Sequence, residues 1–328
     1  MAGPFLPMQN YLLVHRKAAG DTIAATALIR DLALAYPGMR FGAAMTGSED
    51  ILAGNPYLTD LHGNDPGVIH VKLDYRDGMA AVSSGIPVYY LAAYHCNFTK
   101  QTGLTVPFTN PKPELYLTDE EVNTRPIDQP YWLVLAGGKK DMTTKIYPQN
   151  RFQQIVNGTP EIRWVQIGAR GDDRFLHIQH DLQNVTDLVG KTSLRQLFQL
   201  VYHSDGVLCG PTQTMLIAAA FDKPCVVLAG GREPYEWLAF EKGNPSLRGL
   251  EHHIKVPHRY LHTIGKLDCC AKTGCWACQV IPPHNDSAFP PGYICKRPVL
   301  EQEVPITECF SLIHPTMVIE AIRSYRLN

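Results

Sequence analysis

The sequence predicts an α/β protein made of two successive Rossmann-like, doubly wound domains. Short apolar runs alternate with helix-like segments along the chain, which is typical of a parallel sheet covered by helices on both faces. A proline-rich, acidic segment at residues 105–130 interrupts this alternation, which then restarts. The 328 residues are enough for two domains of ordinary size. We therefore expect an N-terminal domain at 1–120, a C-terminal domain at 121–328, and a ligand cleft at the carboxyl ends of their strands.

The first half of the chain begins with a predicted strand and a predicted buried helix. The apolar run YLLVHR at 11–16 predicts the strand, and an apolar helix follows from Asp21 to about Tyr36, where Pro37 stops it. Further apolar runs predict three more buried strands, at 41–46, 68–73 and 88–94.

The second half repeats the alternation from residue 131 onward. Its predicted strands are 131–138, 163–169, 206–210 and 224–231. Its predicted helices are 151–156, 193–204, 214–221 and 315–327. Ser193 is available to cap the second of these helices.

Composition excludes several classes of function. The net charge is −1, with 30 basic against 31 acidic residues, so no general attraction to nucleic acid or an anionic membrane is expected. No apolar run approaches the ~20 residues needed to span a bilayer, and the first residues make a poor signal peptide. We therefore expect a cytoplasmic protein. Neither a P-loop nor a G-x-G-x-x-G turn follows a predicted strand, which disfavours an NTPase or a dinucleotide oxidoreductase.

Asp21 lies in GDTIAATALIRDLALAYPG, residues 20–38, where the first strand meets the first helix. An aspartate at this position has an ordinary interpretation, because Asp is a favoured helix cap. It also has a chemical one, because a carboxylate held at such a junction is well placed to act as a base. The residue pattern leaves both interpretations open.

A glycine-rich turn, LAGGKKDMTTKIYP at residues 135–148, follows the first strand of the second half. Gly137 and Gly138 allow a ligand to approach the backbone closely, and Lys145 and two threonines lie nearby. Backbone N–H groups, lysines and hydroxyls together suit a diphosphate. The alternative is a solvated basic loop.

A second turn with a possible ligand role follows Gly210. Thr212 and Gln213 belong to the polar sequence PTQT, after which an alanine-rich helix starts at once. The N-terminus of that helix and the threonine hydroxyls face the expected cleft. Such a helix end is a ready site for an anion or a sugar.

The C-terminal part contains a cysteine-rich insertion, predicted at residues 266–312. Six of the nine cysteines fall between residues 269 and 309. Four of them have the spacing of ligands in a tetrahedral thiolate site for iron or zinc: Cys275, Cys278, Cys295 and Cys309. Cys269 and Cys270 are possible substitute ligands, and disulfide bonds are the main alternative.

Together these segments resemble the ADP-heptose heptosyltransferases of glycosyltransferase family 9 over nearly the whole chain. The resemblance rests on four stretches: 20–38, 52–61 (LAGNPYLTDL), 143–148 (TTKIYP), and 187–210 running into AAAFDKPCVVLAGG. It implies a two-domain GT-B fold and an inverting glycosyltransferase. The implied donor is a nucleotide-diphosphate sugar, ADP-heptose above all, and the implied acceptor is a hydroxyl of a glycan, a protein or a modified nucleobase.

The resemblance also implies roles for individual residues. Asp21 is implied as the general base. The residues implied to bind the donor diphosphate are Gly137, Gly138 and Lys145. The turn that faces the donor sugar contains Gly210, Thr212 and Gln213. Members of the family usually have an acidic residue, then Ser or Thr, then Gly at this turn, with a His three residues later; this chain has Pro211, Thr212, Gln213 and Leu216 there.

The cysteine-rich insertion resembles the iron-binding cysteine finger of heptosyltransferases that modify autotransporter proteins, although the spacings differ. This implies a structural metal and a role in homo-oligomerisation or acceptor docking. Two other functions remain open from the sequence. One is a nucleotide-sugar epimerase or hydrolase in the same fold, and the other is a non-catalytic binding or assembly protein that uses the metal finger.

Overall fold

The structure is a computed structural model that describes residues 9–171, 177–280 and 293–325. Each half of the chain contains a parallel β-sheet. In the first half, β1 (Asn10–Val14) lies between β2 (Arg40–Ala44) and β3 (Val68–Lys72) and is parallel to both. The predicted α/β class with parallel sheets in both halves is confirmed.

Four helices accompany this first sheet: α1 (Ala19–Ala35), α2 (Ser48–Ile51), α3 (Arg76–Ser83) and α4 (Tyr90–Thr102). Helix α1 is buried on all sides from Asp21 to Leu32. Its run of Ala, Ile and Leu without a polar face is the pattern of a helix enclosed by other elements. The helix ends at Tyr36, as predicted.

The strand predicted at 88–94 is wrong, because residues 90–94 belong to α4 and residues 88 and 89 precede it outside any strand. The buried residues Leu91, Tyr94, His95 and Phe98 follow each other at the spacing of one helical face. The short sequence VYYLAAY is rich in strand-forming residues, but the helical period becomes visible only when the window extends to Phe98. Packing of this face against α1 and α3 outweighs the local preference for a strand.

The second half contains a larger sheet. In chain order its strands are β4 (Trp132–Val134), β5 (Gly137–Lys139), β6 (Trp164–Gln166), β7 (His177–Gln179), β8 (Thr186–Asp187), β9 (Gly206–Cys209), β10 (Cys225–Gly230) and β11 (Arg259–His262). Six of them form one parallel sheet in the order β11-β10-β9-β4-β6-β8. Strands β5 and β7 form a separate antiparallel pair.

The remaining elements cover this sheet and continue to the C-terminus. They are α5 (Asp119–Asn123), α6 (Gln149–Asn157), α7 (Leu194–His203), α8 (Gln213–Ala220), α9 (Tyr235–Leu238), the antiparallel hairpin of β12 (Pro298–Glu301) and β13 (Val304–Thr307), α10 (Glu308–Ser311) and α11 (Pro315–Arg323). The hydroxyl of Ser193 caps α7 as predicted, accepting from the Gln196 N–H at 3.1 Å. No helix within the described ranges is long and apolar enough to cross a membrane.

The predicted linker crosses from the first half to the second as an irregular segment tied to α1. The Arg30 guanidinium donates to the carbonyl oxygens of Asn110 and Lys112 at 2.8 and 3.0 Å. The Asp31 carboxylate accepts from the Thr109 N–H at 3.1 Å. The boundary predicted between residues 120 and 121 falls within the short helix α5 and stays a prediction.

The two halves meet where α1 packs against α8, and one core continues through both. The N-termini of these helices come close at Gly20. A Cβ atom at this position would lie 3.3 Å from Cβ of Gln213, so a larger side chain would push the two helices apart. The junction after β1 therefore faces the junction after β9.

Candidate active site

A cavity of about 550 Å³ lies between the two halves of the chain. Its size is in the range of small-molecule sites. Six of the predicted site residues line it together: Asp21, Gly137, Gly138, Lys145, Thr212 and Gln213. Gly210 does not; it lies behind the wall, where a Cβ atom would be 3.1 Å from the carbonyl oxygen of Lys145.

Three helices point their N-termini at this cavity. The residues that line the cavity include Ala18 and Gly20 at the start of α1, Ser193 at the start of α7, and Thr212 at the start of α8. Free backbone N–H groups and the positive end of the helix dipole at each start favour a negatively charged ligand. The hydroxyl of Thr212 does not cap α8, and its Oγ1 is buried without a hydrogen-bond partner.

Asp21 is the third residue of α1, and Ala18 is its N-cap. The Asp21 carboxylate reaches back, and its Oδ2 accepts from the Ala18 N–H at 3.0 Å. Its Oδ1 accepts from the hydroxyls of Tyr90 and Tyr94 at 2.7 and 2.8 Å. The residue therefore caps the helix with one oxygen while its other oxygen is oriented by two side chains of α4, so the two interpretations of Asp21 are compatible.

Aromatic rings form the wall beside Asp21. The centroid of the Tyr90 ring lies 5.3 Å from those of Tyr75 and Trp237, and Trp276 follows at 6.1 Å from Trp237. Burial raises the pKa of Tyr90 and of Tyr94 well above the usual value, and the Asp21 charge adds to this rise. Both hydroxyls therefore stay protonated and donate to Asp21.

Tyr90 and Tyr94 were not predicted as site residues, because the sequence favours a strand at 88–94. Residues four apart on a helix lie on the same face, and this spacing is what allows both hydroxyls to reach one carboxylate oxygen. The signal was present in YLAAY, the beginning of α4, but it depends on recognising the helix first.

Lys145 belongs to a buried charge cluster on the opposite wall. Its Nζ lies 2.5 Å from Oε1 of Glu233 and 3.4 Å from the carbonyl oxygen of Pro211. The same Glu233 oxygen is paired with the guanidinium of Arg232. Burial lowers the pKa of Lys145, and the Glu233 charge opposes this change. Burial acts to raise the pKa of Glu233, but the two cations outweigh it and the pKa lies below its usual value.

Arg232 and Glu233 were not predicted as site residues either. They follow β10, so the signal was a pair of charged residues directly after a buried parallel strand, in GGREP. Side chains at the carboxyl end of such a strand lie at the ligand-binding edge of the sheet.

Gly137 has a structural requirement in addition to its place on the cavity. A Cβ atom there would overlap the carbonyl oxygen of Ile178 and Oε1 of Gln179. Only glycine allows β5 to pair this closely with β7. A role of Gly137 in holding a donor diphosphate stays a prediction.

The cysteine-rich segment holds the loop that carries Lys145. The hydroxyl of Thr144 donates to the carbonyl oxygens of Ala277 and Cys278, at 2.6 and 3.0 Å. Nε of Arg232 donates to the same Ala277 carbonyl oxygen at 2.8 Å. The segment also places Trp276 in the cavity wall. The cysteine-rich segment therefore supports both the cation wall, which consists of Lys145 and Arg232, and the aromatic ring of Trp276.

A second, smaller cavity of about 60 Å³ lies inside that segment. Four cysteines line it: Cys269, Cys275, Cys295 and Cys309. Cys278, predicted as a ligand, lies apart, with its Sγ 3.3 Å from Nη2 of Arg232. Residues 281–292 of the predicted finger lie outside the described residues.

All nine cysteines lie in the described residues, and none forms a disulfide bond. Burial raises the pKa of the Cys275 thiol to about 12. Within the described part of the chain, no three His, Cys, Asp or Glu side chains are arranged as a metal site. The predicted set of metal ligands therefore stays a prediction.

The fold is similar to that of solved glycosyltransferases. A family 9 glycosyl transferase from Veillonella parvula DSM 2008 is 14% identical, with a TM-score of 0.60 over 97% of each chain. The ADP-heptose LPS heptosyltransferase II of E. coli is 14% identical, with a TM-score of 0.56 over 98% of this chain and 99% of that chain. At this identity the likeness shows the fold alone, which is the predicted GT-B fold.

The iron-containing dodecameric glycosyltransferase TibC from enterotoxigenic E. coli H10407 is also 14% identical, with a TM-score of 0.64 over 98% of this chain and 80% of that chain. A second TibC structure, in complex with ADP-D-β-D-heptose, has a TM-score of 0.62 at 14% identity over 98% of this chain and 78% of that chain. No curated protein sequence matches the chain.

The sequence profile of glycosyltransferase family 9 (heptosyltransferase) matches residues 90–255, which is half of the chain. The matched part contains both tyrosines that contact Asp21, together with Lys145, Thr212 and Glu233. Asp21 itself and the cysteine-rich segment lie outside it. The chain belongs to glycosyltransferase family 9, and it is a glycosyltransferase that uses a nucleotide-sugar donor.

Proposed function

We propose that the protein transfers a heptose-like sugar from an ADP-linked donor to an acceptor hydroxyl, with inversion at the anomeric carbon. The observation that carries this proposal is that a carboxylate, Asp21, and an ammonium group, Lys145, line the same cavity. Displacement of a diphosphate by a hydroxyl requires a base near the attacking oxygen and positive charge near the leaving group.

Asp21 is the general base in this reaction. An ionised carboxylate has about four acceptor positions. Oδ1 already accepts from two tyrosine hydroxyls, whereas Oδ2 accepts one backbone N–H and keeps a position for the acceptor hydroxyl. As that hydroxyl attacks the anomeric carbon, its proton passes to Asp21 and the new carbon–oxygen bond forms opposite the leaving diphosphate.

The leaving nucleoside diphosphate gains negative charge as its bond to the anomeric carbon breaks. Lys145 and Arg232 carry two positive charges against the single negative charge of Glu233, so this wall keeps a net positive charge. Backbone N–H groups at the start of α8 add to it. Stabilisation of charge that develops in the transition state is often the largest single contribution to catalysis.

The assignment of the donor as an ADP-sugar is supported by relatives. TibC binds ADP-D-β-D-heptose, and heptosyltransferase II is named for ADP-heptose. The acceptor is a hydroxyl of a glycan, a protein or a modified nucleobase. The aromatic wall beside Asp21, formed around Tyr90 and Trp237, provides a surface on which the C–H face of a sugar ring or a planar nucleobase can pack.

The cysteine-rich segment holds a structural iron or zinc ion in this proposal. Thiolates are the ligands that such metals take in tetrahedral sites, and four thiols line one small cavity. We infer that Cys275, Cys295 and Cys309 are ligands and that the cavity favours Cys269 over the predicted Cys278 as the fourth. A bound ion would hold the separate parts of the segment together. TibC contains iron and is a dodecamer, and we expect a metal and a homo-oligomer here as well.

The transfer reaction is tested with purified protein, ADP-D-β-D-heptose and separate glycan, protein and nucleic-acid fractions as acceptors. We expect release of ADP that depends on one acceptor fraction, with the mass of a heptosyl residue added to the acceptor. NMR of the product then gives the anomeric configuration. Donor consumption without any acceptor would instead indicate a hydrolase or an epimerase.

Metal binding is tested by elemental analysis and gel filtration of the wild type, Cys269→Ser and Cys278→Ser. Loss of the metal only in Cys269→Ser is the expected result. Loss of the metal only in Cys278→Ser would show that the fourth ligand is Cys278, as the spacing predicts.

A further inference from the structure

A buried cluster of charged and polar side chains joins α1 to α4 outside the main cavity. Its centre is Asp31, which is 1% exposed and accepts from Nε2 of His95 and from Nε of Arg30, both at 2.9 Å. Burial acts to raise the pKa of Asp31, but the hydrogen bonds from His95 and Arg30 outweigh it and lower the pKa to about 2. Asp31 is therefore ionised in the interior of the protein.

His95 provides the link from α4. Its Nε2 donates to Asp31, and its Nδ1 lies 3.2 Å from the carbonyl oxygen of Leu91, one turn earlier on the same helix. Both partners only accept hydrogen bonds, so both ring nitrogens donate. The ring is thus attached to its own helix at one nitrogen and to α1 at the other.

The stability of the fold does not by itself explain this cluster. The cost of removing two charges from water offsets much of their attraction, and an apolar pair of similar volume is often as stable. Apolar contacts are non-directional, however, whereas hydrogen bonds depend on geometry. The specific contribution of the cluster is therefore to fix the orientation of α4 on α1.

This orientation matters because α4 also carries Tyr90 and Tyr94, whose hydroxyls donate to Asp21. Tyr94 and His95 are neighbours on α4 and point about 100° apart around its axis. Their partners Asp21 and Asp31 lie about 15 Å apart along the axis of α1. Two attachments this far apart prevent α4 from rotating or sliding on α1, so the tyrosine hydroxyls stay within reach of Asp21.

We propose that His95 is a positioning residue for the transfer step, which fixes α4 so that Tyr90 and Tyr94 hold the Asp21 carboxylate in place. The proposal rests on the proposed function, because it takes Asp21 to be the general base. His95 does not line the cavity. It therefore affects kcat through Asp21 and leaves the binding of ADP to the second half of the chain unchanged.

The test compares His95→Gln with His95→Asn. The amide of glutamine can reach the position of Nε2 and donate to Asp31, whereas the amide of asparagine reaches only the position of Nδ1, beside Leu91. The quantities are the Kd for ADP from calorimetry, and kcat and the acceptor KM from ADP release with the acceptor fraction that the wild type uses. The value of kcat is expressed per ADP-binding site, so that unfolded protein does not count.

The control variant is Glu301→Gln. It removes a charge from the ion pair that Glu301 forms with Arg151, and neither residue lines the cavity. We expect it to leave kcat unchanged.

We expect kcat to fall about tenfold or more in His95→Asn and to stay within about threefold of the wild type in His95→Gln, because small displacements of a catalytic group are costly. The Kd for ADP and the acceptor KM change by less than about twofold in both. Asp31→Asn weakens the same link from α1 and is expected to lower kcat in the same way, so it tests the proposal even where His95→Asn does not fold.

A double variant separates positioning from a general effect on the fold. In the Asp21→Asn background, His95→Asn should have no further effect on kcat, because the base through which His95 acts is already absent. The same fold-loss in both backgrounds would overturn the proposal. A wild-type kcat in His95→Asn and in Asp31→Asn, or equal losses in His95→Asn and His95→Gln, would overturn it as well.

Failure of the proposed function gives a different result. A full rate in Asp21→Asn, or no acceptor-dependent release of ADP by the wild type, would overturn the proposed function and this proposal with it. Loss of the rate in Asp21→Asn with a wild-type rate in His95→Asn and in Asp31→Asn would overturn the role of His95 alone.

Discussion

Asp21 shows how one residue can serve the fold and the chemistry together. Its Oδ2 accepts the N–H of Ala18 at the start of α1, and its Oδ1 accepts from Tyr90 and Tyr94. The hydrogen bond to Ala18 stabilises the helix, and the tyrosines orient the carboxylate towards the cavity. An aspartate that only capped the helix would have no need of two buried hydroxyl partners.

The substitution Asp21→Asn separates these roles. The amide oxygen of the new side chain can still accept the Ala18 N–H, but its NH2 group replaces the oxygen that accepts from Tyr90 and Tyr94, so we expect a folded protein whose free energy of unfolding is lower by about 1–3 kcal/mol. An amide cannot take up a proton, so the transfer rate falls by about 10² or more. The rate is measured as acceptor-dependent ADP release, and unfolding is measured in urea. A variant that retains the full rate would show that Asp21 is not the base.

His258 provides a second prediction for a single residue. It is fully buried, neither ring nitrogen has a hydrogen-bond partner, and burial lowers its pKa to about 3. The unfolded chain binds a proton here near pH 6.5, whereas the folded protein does not. Stability is therefore complete above about pH 6.5 and falls as the pH decreases towards 3, by up to about 1.4 kcal/mol per pH unit.

The variant His258→Phe checks this prediction. We expect the slope of the unfolding free energy between pH 6 and 4 to be smaller than that of the wild type by about one bound proton. An unchanged slope in His258→Phe would contradict the assignment.

The elements of the fold divide into those that local patterns predict and those that depend on packing. Strands such as β9 and β10 were predictable because buried parallel strands are continuous apolar runs. Lys145 and Thr212 could be predicted to lie on the cavity because they follow strands whose carboxyl ends face it. Helix α4 was not predicted, because its first residues favour a strand and its helical period becomes visible only when the window extends to Phe98.

The cysteine-rich segment and the 140–145 loop form a connected pair of elements. Thr144 carries the connection, since it is 3% exposed and its hydroxyl meets two carbonyl oxygens of the segment. In Thr144→Val the segment loses this donor, and we expect the unfolding free energy to fall by about 1–3 kcal/mol. The affinity for ADP should also fall, because the neighbouring Lys145 loses its support.

The matched control is Thr159→Val. This threonine is also buried and hydrogen-bonded, with Trp164 and Ile155, but it does not line the cavity. We expect a similar loss of stability with no change in the Kd for ADP. If Thr144→Val kept the wild-type Kd for ADP, the segment would not position the cation wall.

At the scale of the whole molecule, the site exists only because both halves of the chain meet. The base comes from the first half and the cations come from the second, and the close contact at Gly20 sets the two helix N-termini beside each other. This arrangement predicts that the two halves contribute to different steps of the reaction. Donor binding depends on the second half, whereas transfer depends on both.

The most direct test of this account is the thermal stability of the wild type, Asp21→Asn and Lys145→Ala with and without ADP. Ligand at a hundredfold excess over its Kd stabilises a protein by about 2.7 kcal/mol. We predict this stabilisation for the wild type and for Asp21→Asn, and its loss in Lys145→Ala. Equal stabilisation of all three proteins would contradict the donor site at Lys145, and no stabilisation of the wild type by ADP would contradict the proposed donor.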